Sequence, residues 1–408
     1  MDTMLCCLHM SELHKHPESK LPLFGSVLAL IAFATSAGLL PPLITTIADE
    51  LAVNYASFGY IIMFQFFSFF VAVIIGGWIC ERHNVNSRIF ILVGLLIVGL
   101  TLLVGSTLTR VAWFAVWAIP LGFGQGLVEA FASISVAHNE KPKSSKLQNL
   151  AQVFKCIGVI SASPIVAVLL YLGISWQNTF ILFGLFILSI LCVFFFLTRQ
   201  VTEDTVYSAQ KANTLSTPLR KDSLLFLLAG VLLIYVTCET VIACWVSVYF
   251  EKRLSIPVHS AALRLSIYWI GVVVGRLAIV FVPRRFTVWP AMFTGILIIF
   301  AGAVLASATL SPLWATVFVF LSGVGSGPLW PITVAICHSA RQRPKFTSYV
   351  IAAGAFGVVV GSGLGSVIFR YLDASLLFPT VALGSIILLV LGFLSYWKCS
   401  EIHAIEKE

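Results

Sequence analysis

"LGFGQG" at residues 121–126 and "SGVGSG" at residues 322–327 decide how this chain folds. Gly122, Gly124 and Gly126 return 201 residues later as Gly323, Gly325 and Gly327. No strand precedes either triplet, and each lies inside a long apolar run, so neither is a loop that cradles phosphate. Glycines at this spacing let helix backbones approach closely in lipid. Their return at the same place in each half argues for an internal repeat.

The surroundings of the triplets agree with lipid. The 408 residues are 59% apolar and only 10% charged, against roughly 25% charged in soluble domains. A water-soluble fold cannot hide that much apolar surface. A membrane helix needs about 20 mostly apolar residues, and on that basis the sequence predicts twelve spans: 22–47, 57–80, 88–109, 111–137, 147–172, 174–198, 223–249, 258–282, 287–308, 312–338, 346–370 and 374–397. The longest polar gap, "RQVTEDTVYSAQKANTLSTPLRKD" at 199–222, falls after the sixth. The expected organisation is therefore a cytoplasmic N-terminal segment (1–21), a six-helix bundle (22–198), a cytoplasmic linker (199–222), a second six-helix bundle (223–397) and a cytoplasmic tail (398–408). The fold class is an all-α integral membrane protein with 12 transmembrane helices in two bundles.

The basic residues orient it. With the N-terminus inside, 18 of the 25 Lys and Arg fall in inside segments, 4 in outside segments and 3 within spans. That bias places both termini and the central linker in the cytoplasm, and it accounts for the net charge of +8 without a nucleic-acid partner. The first 20 residues have no short apolar core with a cleavage site, so they do not read as a signal peptide. The nine cysteines lie mostly in or beside apolar spans, where cysteine behaves as a small hydrophobe. Their spacing with histidine fits no metal site. No nucleophile–base pairing stands out either, and the sequence implies neither an enzyme nor a cofactor.

Five ionisable residues sit within spans: Glu129, Lys155, Glu239, Arg264 and Arg276. Such charges cost at least a few kcal/mol each at a helix centre, and they face the bundle interior or a wet cavity. Glu129 lies eight residues before the cytoplasmic end of span 4, and Lys155 eight residues after the start of span 5. At about 1.5 Å rise per residue both are roughly 12 Å deep. The two spans are antiparallel neighbours, so a carboxylate and an ammonium at equal depth are expected to pair. That pair could be a plain helix–helix tie or could line a solute cavity. Glu239 lies past the midplane of span 7, either as a buried acid bonded to a neighbour or as part of the cavity. Arg264, near the outer end of span 8, can snorkel to water. Arg276 is expected to hold carbonyls or an acidic side chain in one conformation. Trp245, Trp269 and Trp330, on spans 7, 8 and 10 near charges or glycine–proline breaks, are the most suggestive tryptophans, where an indole face suits the C–H face of a sugar but can equally pack. "LLPP" (39–42) and "GPLWP" (327–331) are expected to interrupt their helices.

Span 2 ends in "GGWICERHNVNSR" (76–88) and span 8 in "GRLAIVFVPRR" (275–285). Together they resemble the loop-2/3 motif of the major facilitator superfamily, with Glu81 where an aspartate is usual and Asn84 where a glycine is usual. That family implies the major facilitator fold, two parallel six-helix repeats around a midplane site. Within it, "GLVEAFAS" (126–133), "LQNLAQVFKCIG" (147–158), "YVTCETVIACWVSVYF" (235–250), "WIGVVVGRL" (269–277) and "GPLWPITVA" (327–335) resemble the fucose:proton symporter family. The likeness implies a sugar- and proton-binding role for Glu129 and a second glutamate at Glu239. The chain departs from that family at three places, one being small residues such as Ser133 where an asparagine commonly follows the span-4 acid. Lys155 stands where the family has an uncharged asparagine, and Ser36, Ala37 and Gly38 stand where it has a proton-carrying aspartate.

The expected function is secondary active transport of a small polar solute, sugar-like or an acidic sugar or organic acid, coupled to a proton and carried out by a monomer in the cell (inner) membrane. The alternative is an exporter of a drug or siderophore-like metabolite on the same fold. The candidate substrate-binding residues are Glu129, Gln152, Lys155, Glu239, Trp245 and Trp330, with Glu129 and Glu239 also as proton carriers. Glu81, Arg82, Arg88, Gly275 and Arg276 are the candidate conformational residues.

Overall fold

The computed structural model describes residues 20–83, 85–138, 146–199, 223–281, 288–340 and 344–405. The expected N-terminal segment and linker lie, but for their edge residues, outside the described part. The side chains of Glu81 and Gln152 also lie outside it. Twelve helical spans long and apolar enough to cross a membrane follow one another: Leu23–Glu50, Ser57–Cys80, Ser87–Gly105, Val111–Val136, Val153–Tyr171, Trp176–Thr198, Ser223–Lys252, Val258–Ala278, Val288–Ala308, Pro312–Cys337, Tyr349–Tyr371 and Ala374–Glu401. They are numbered 1 to 12 below. Among the described residues there is no strand.

The prolines break spans 1 and 10. Span 1 runs as one helix to Ala37, turns through a short 3-10 segment at Pro41–Leu43 and resumes at Ile44–Glu50. Span 10 divides at Gly327 and Pro328 into Pro312–Ser326 and Leu329–Ala340. A proline ring removes one N–H from the ladder and crowds the carbonyl four residues back, so each break leaves backbone carbonyls for other groups to bond.

The glycine triplets set how closely the helices approach. The Cα atoms of Gly122 and Gly126 lie against the carbonyls of Gln65 and Phe69 in span 2, where a Cβ would overlap them. Gly323 and Gly327 lie in the same way against the carbonyls of Tyr268 and Val272 in span 8. The middle glycines face the next helix over, Gly124 meeting Gly94 of span 3 and Gly325 meeting Gly295 of span 9. The repeat seen in the sequence is therefore a repeat of helix contacts.

Polar pairs repeat with the same register. Gln65 donates from Nε2 to Gln125 Oε1 at 2.8 Å, tying span 2 to span 4. Tyr268 donates to Ser326 Oγ at 3.2 Å, tying span 8 to span 10. Thr35 of span 1 donates to Ile31 O at 2.8 Å and stands 3.3 Å from the Gly158 carbonyl of span 5. Its counterpart Thr237 of span 7 donates to Leu233 O at 2.8 Å and stands 3.3 Å from the Gly357 carbonyl of span 11. Buried in hydrocarbon, each hydroxyl or amide needs such a partner.

Spans 1–6 and 7–12 meet along a seam where span 2 packs on span 11 and span 5 on span 8. At the end remote from the chain termini, Ser366 donates to the Ala56 carbonyl at 2.9 Å. Beside it Tyr55 meets Phe369 edge-on with centroids 6.0 Å apart, and Tyr171 meets His259 at 5.6 Å. Gly59 carries no side chain there, and a Cβ would overlap both Ser366 Oγ and the Trp245 ring. Nearer the midplane, Ser266 of span 8 donates to the Ile160 carbonyl of span 5 at 2.8 Å. That carbonyl is four residues before Pro164, which has no N–H to give it. A proline in one half thus creates the acceptor that a serine of the other half fills.

Two outcomes test this packing. Gly122→Ala gains about 0.5–1 kcal/mol of helix propensity, but its methyl meets a backbone carbonyl that cannot move alone, and overpacking costs about 1–3 kcal/mol. The thermal unfolding midpoint in detergent should fall for Gly122→Ala and hold or rise for Gly77→Ala, whose Cβ meets nothing within 4 Å. Second, Ser266→Ala leaves a buried carbonyl unpaired at a cost of about 1–3 kcal/mol. Adding Pro164→Ala supplies Ile160 with a helical N–H and should recover most of the lost midpoint. A loss from Ser266→Ala that is the same with and without the Pro164→Ala change would contradict the assignment.

Candidate functional site

Lys155 and Glu129 form an ion pair between spans 5 and 4, with side chains 26% and 22% exposed. Both side chains keep part of their surface uncovered by protein. Span 1 completes the pair's surroundings. Gly158, one turn after Lys155, lets span 5 close on the Ile31 carbonyl and Ala34 of span 1, and this brings the Phe33 ring to 5.6 Å from the Lys155 ammonium. An aromatic face attracts a cation through its quadrupole. The ammonium therefore has one charged partner and one π partner, both in its own half.

One turn before Glu129 a buried neutral network braces the same helix. Gln125, with no exposure, accepts from Gln65 and donates from Nε2 to Ser36 Oγ at 2.9 Å. Ser36 donates in turn to the Phe33 carbonyl at 2.7 Å. Spans 1, 2 and 4 are thus locked behind the ion pair by residues that carry no charge. Sequence reading passed over Gln65 and Gln125. The signal was there, a glutamine inside each of two membrane spans, one of them within the glycine triplet itself.

The second cluster lies across the seam. Glu239 on span 7 accepts a hydrogen bond from Tyr235, one turn back on the same helix, at 2.9 Å. Arg276 of span 8 and Lys155 both lie close enough to act on the Glu239 carboxylate electrostatically. Arg276 is itself held at three points. Its Nε donates to the Gly327 carbonyl at 3.3 Å, its Nη1 reaches Cys156 Sγ at 3.2 Å, and Tyr235 is a further partner. The Gly327 carbonyl is four residues before Pro331, so the proline in "GPLWP" frees it from the helix ladder. Cys156 belongs to the other half, which makes Arg276 a bridge across the seam.

The tryptophans differ. Trp330 is partly exposed and its ring lies against Gly354 of span 11. Trp245 is fully buried, stacked on Phe369 at 4.8 Å, and pressed against Gly59 and Gly365 in the remote end of the seam. Of the expected conformational residues, Gly275 lets span 8 close on the Val324 carbonyl of span 10. Arg82 and Arg88 stand at the terminal-side ends of spans 2 and 3. Arg82 lies 5.3 Å over the Trp78 ring, and Arg88 lies 5.6 Å over the Phe195 ring of span 6. The structure thus brings Glu129, Lys155, Glu239 and Arg276 together and leaves Trp245, Arg82 and Arg88 apart from them.

The repeat exposes one asymmetry. By the 201-residue offset of the glycines, the counterpart of Glu129 is Trp330. By the offset of 199 that relates Gly158 to Gly357, the counterpart of Lys155 is Gly354. Where one half carries an ion pair, the other carries an indole laid over a glycine.

The chain is similar to known proteins in sequence and in fold. The chain is 24% identical over 332 residues to a TsgA homolog of Yersinia pestis, covering 77% of this chain and 79% of the relative. It is 21% identical over 345 residues to a TsgA homolog of Buchnera aphidicola, covering 81% and 84%. A mutant of the nucleoside transporter NupG superposes with a TM-score of 0.72 at 15% identity, over 92% of this chain and all (100%) of that one. A bacterial homolog of the human lysosomal transporter Spinster, in an inward-facing and occupied conformation, superposes with 0.69 at 13% identity, over 95% and 98%. Residues 26–340 match the family model of the Major Facilitator Superfamily, and the chain is a member of that family, a multi-pass membrane transporter.

Proposed function

We propose that the transporter carries a small polar solute with an anionic group, a sugar acid or related organic acid, together with a proton, by alternating access. The observation that carries this reading is the accessible Lys155–Glu129 ion pair facing, in the repeat, an indole. An anion can replace Glu129 as the partner of Lys155 once a proton neutralises the glutamate, because the ammonium then needs a new counter-charge. Trp330, partly exposed over Gly354, offers a flat apolar face for the C–H side of a ring. Glu239, with its hydrogen bond from Tyr235, is a second proton carrier in this reading. The bundles 22–198 and 223–397 rock about the seam, and the termini lie in the cytoplasm, as the distribution of basic residues implies. With the seam closed at the remote end, the site in this reading opens toward the terminal side.

Transport into proteoliposomes tests this reading, with sugars set against sugar acids and other organic acids, each with and without a pH gradient. Acidic solutes should be taken up and should respond to the gradient. Lys155→Asn removes a charged hydrogen bond worth about 1.5–3 kcal/mol, so affinity for the acid should fall about 10- to 100-fold while neutral sugars lose nothing. Trp330→Ala should weaken cyclic solutes more than open-chain acids. Unchanged uptake and substrate range in Lys155→Asn would refute the proposal, as would selective transport of apolar cations.

A further inference from the structure

The four charged groups near the middle of the seam alternate in sign. Glu129 and Lys155 belong to spans 4 and 5, and Glu239 and Arg276 to spans 7 and 8, so two acids and two bases sum to zero. Their bonding is uneven. Lys155 is paired within its own half. Arg276 is committed to the Gly327 carbonyl, to Cys156 and to Tyr235. Among the described residues Glu239 has the Tyr235 hydroxyl but no ion-pair contact, although a cation from each half lies in its neighbourhood. An acid left without a salt bridge between two bases is positioned to receive one.

Lys155 is the base that is free to move. Its ammonium is a compact charge on a flexible four-carbon stem with three rotatable donors, and it does not need the fixed fork geometry of a guanidinium. The next residue, Cys156, already touches Arg276 across the seam, so this turn of span 5 lies against span 8 at the level of Arg276. The groups against Lys155 are Glu129 from span 4 and the Phe33 ring from span 1, with Glu239 from span 7 within electrostatic reach. Apart from Glu129, the only anion among them is Glu239. Those that face Glu239 are Tyr235 on its own helix, Arg276 and Tyr268 from span 8, and Lys155.

We propose that Lys155 exchanges carboxylates during the cycle. It pairs with Glu129 in the state described here and turns to Glu239 across the seam when Glu129 is neutralised, so that one proton on span 4 draws spans 5 and 7 together. The proton comes from water on the open side and rests on the Glu129 carboxylate, and Lys155 keeps its own. No covalent bond changes. An ammonium left unpaired at this depth is costly, and that cost drives the move. The coupling is a population shift between two packings of the same charges. The proposal rests on the site reading above but concerns the empty transporter, so its failure can be told from that of the solute assignment.

Hydrogen–deuterium exchange of the full chain in lipid nanodiscs, with no solute present, decides it. Glu129→Gln imitates the protonated glutamate and should slow exchange at the terminal-side ends of spans 2 and 11 at least about threefold. Glu239→Gln alone should leave exchange as in the unmodified chain, because Lys155 is then still held by Glu129. The double variant Glu129→Gln/Glu239→Gln should return to the unmodified pattern. If Glu129→Gln fails to fold, Glu129→Ala serves in its place. Retention of the slow exchange in the double variant would overturn the proposal, and so would no change in the single one. Absence of acid uptake by the unmodified chain, together with the full exchange pattern, would discard the solute assignment and leave the carboxylate exchange standing.

Discussion

A lysine ammonium at membrane depth has to find its counter-charge within reach of its own side chain, and much of the arrangement of this protein serves that need. Glu129 stands at the depth of Lys155 only because spans 4 and 5 run antiparallel with their charges equally far from the shared loop. Gly158 brings span 1 close enough to put Phe33 under the same ammonium. Gln65, Gln125 and Ser36 then fix spans 1, 2 and 4 behind the pair with neutral bonds, adding no charge that would compete for Lys155. Without that neutral backing, any nearby acid or base would change which partner the ammonium prefers.

The repeat supplies the frame, and departures from it supply the chemistry. Both halves use the same glycine–carbonyl contacts, the same threonine to glycine-carbonyl approach and a polar pair between equivalent helices. These contacts are satisfied by backbone and small side chains, so they survive the loss of sequence similarity between halves. What differs is what each half presents at matching points, an ion pair in one and an indole over glycine in the other. A symmetric site would offer the same chemistry from both sides. In the function proposed above, the first half offers charge and the second a flat apolar face, to suit a cargo with two unlike faces.

Much of this could be read from the chain alone, and for identifiable reasons. Twelve spans follow from hydropathy because lipid forbids unpaired backbone, and the structure has twelve. The Glu129–Lys155 contact follows from counting residues along two helices of known rise joined by a short loop. The Gly327 carbonyl was legible in principle, since Pro331 must free the acceptor that Arg276 now fills. By contrast, the cross-seam partners were not legible. That Ser266 fills the carbonyl freed by Pro164, or that Arg276 reaches Cys156, depends on which face span 8 turns toward span 5. Hydropathy cannot fix that rotation in a helix that is apolar all round. Gln65 and Gln125 were missed because single uncharged amides carry little weight in a reading led by charge.

The seam itself argues for a protein poised between states. At the remote end it is held by a serine–carbonyl bond, two ring contacts, the Lys252 ammonium 5.6 Å over the Tyr55 ring and the Trp245 ring against Gly59. Each hydrogen bond of that kind nets about 0.5–1.5 kcal/mol and each aromatic pair about as much beyond its buried area. Contacts of that strength hold one conformation without making it permanent. Gly59 matters here because it lets backbone meet backbone and indole across the seam, so the closed end is tight. Closure made of small contacts at one end leaves the two halves free to part there.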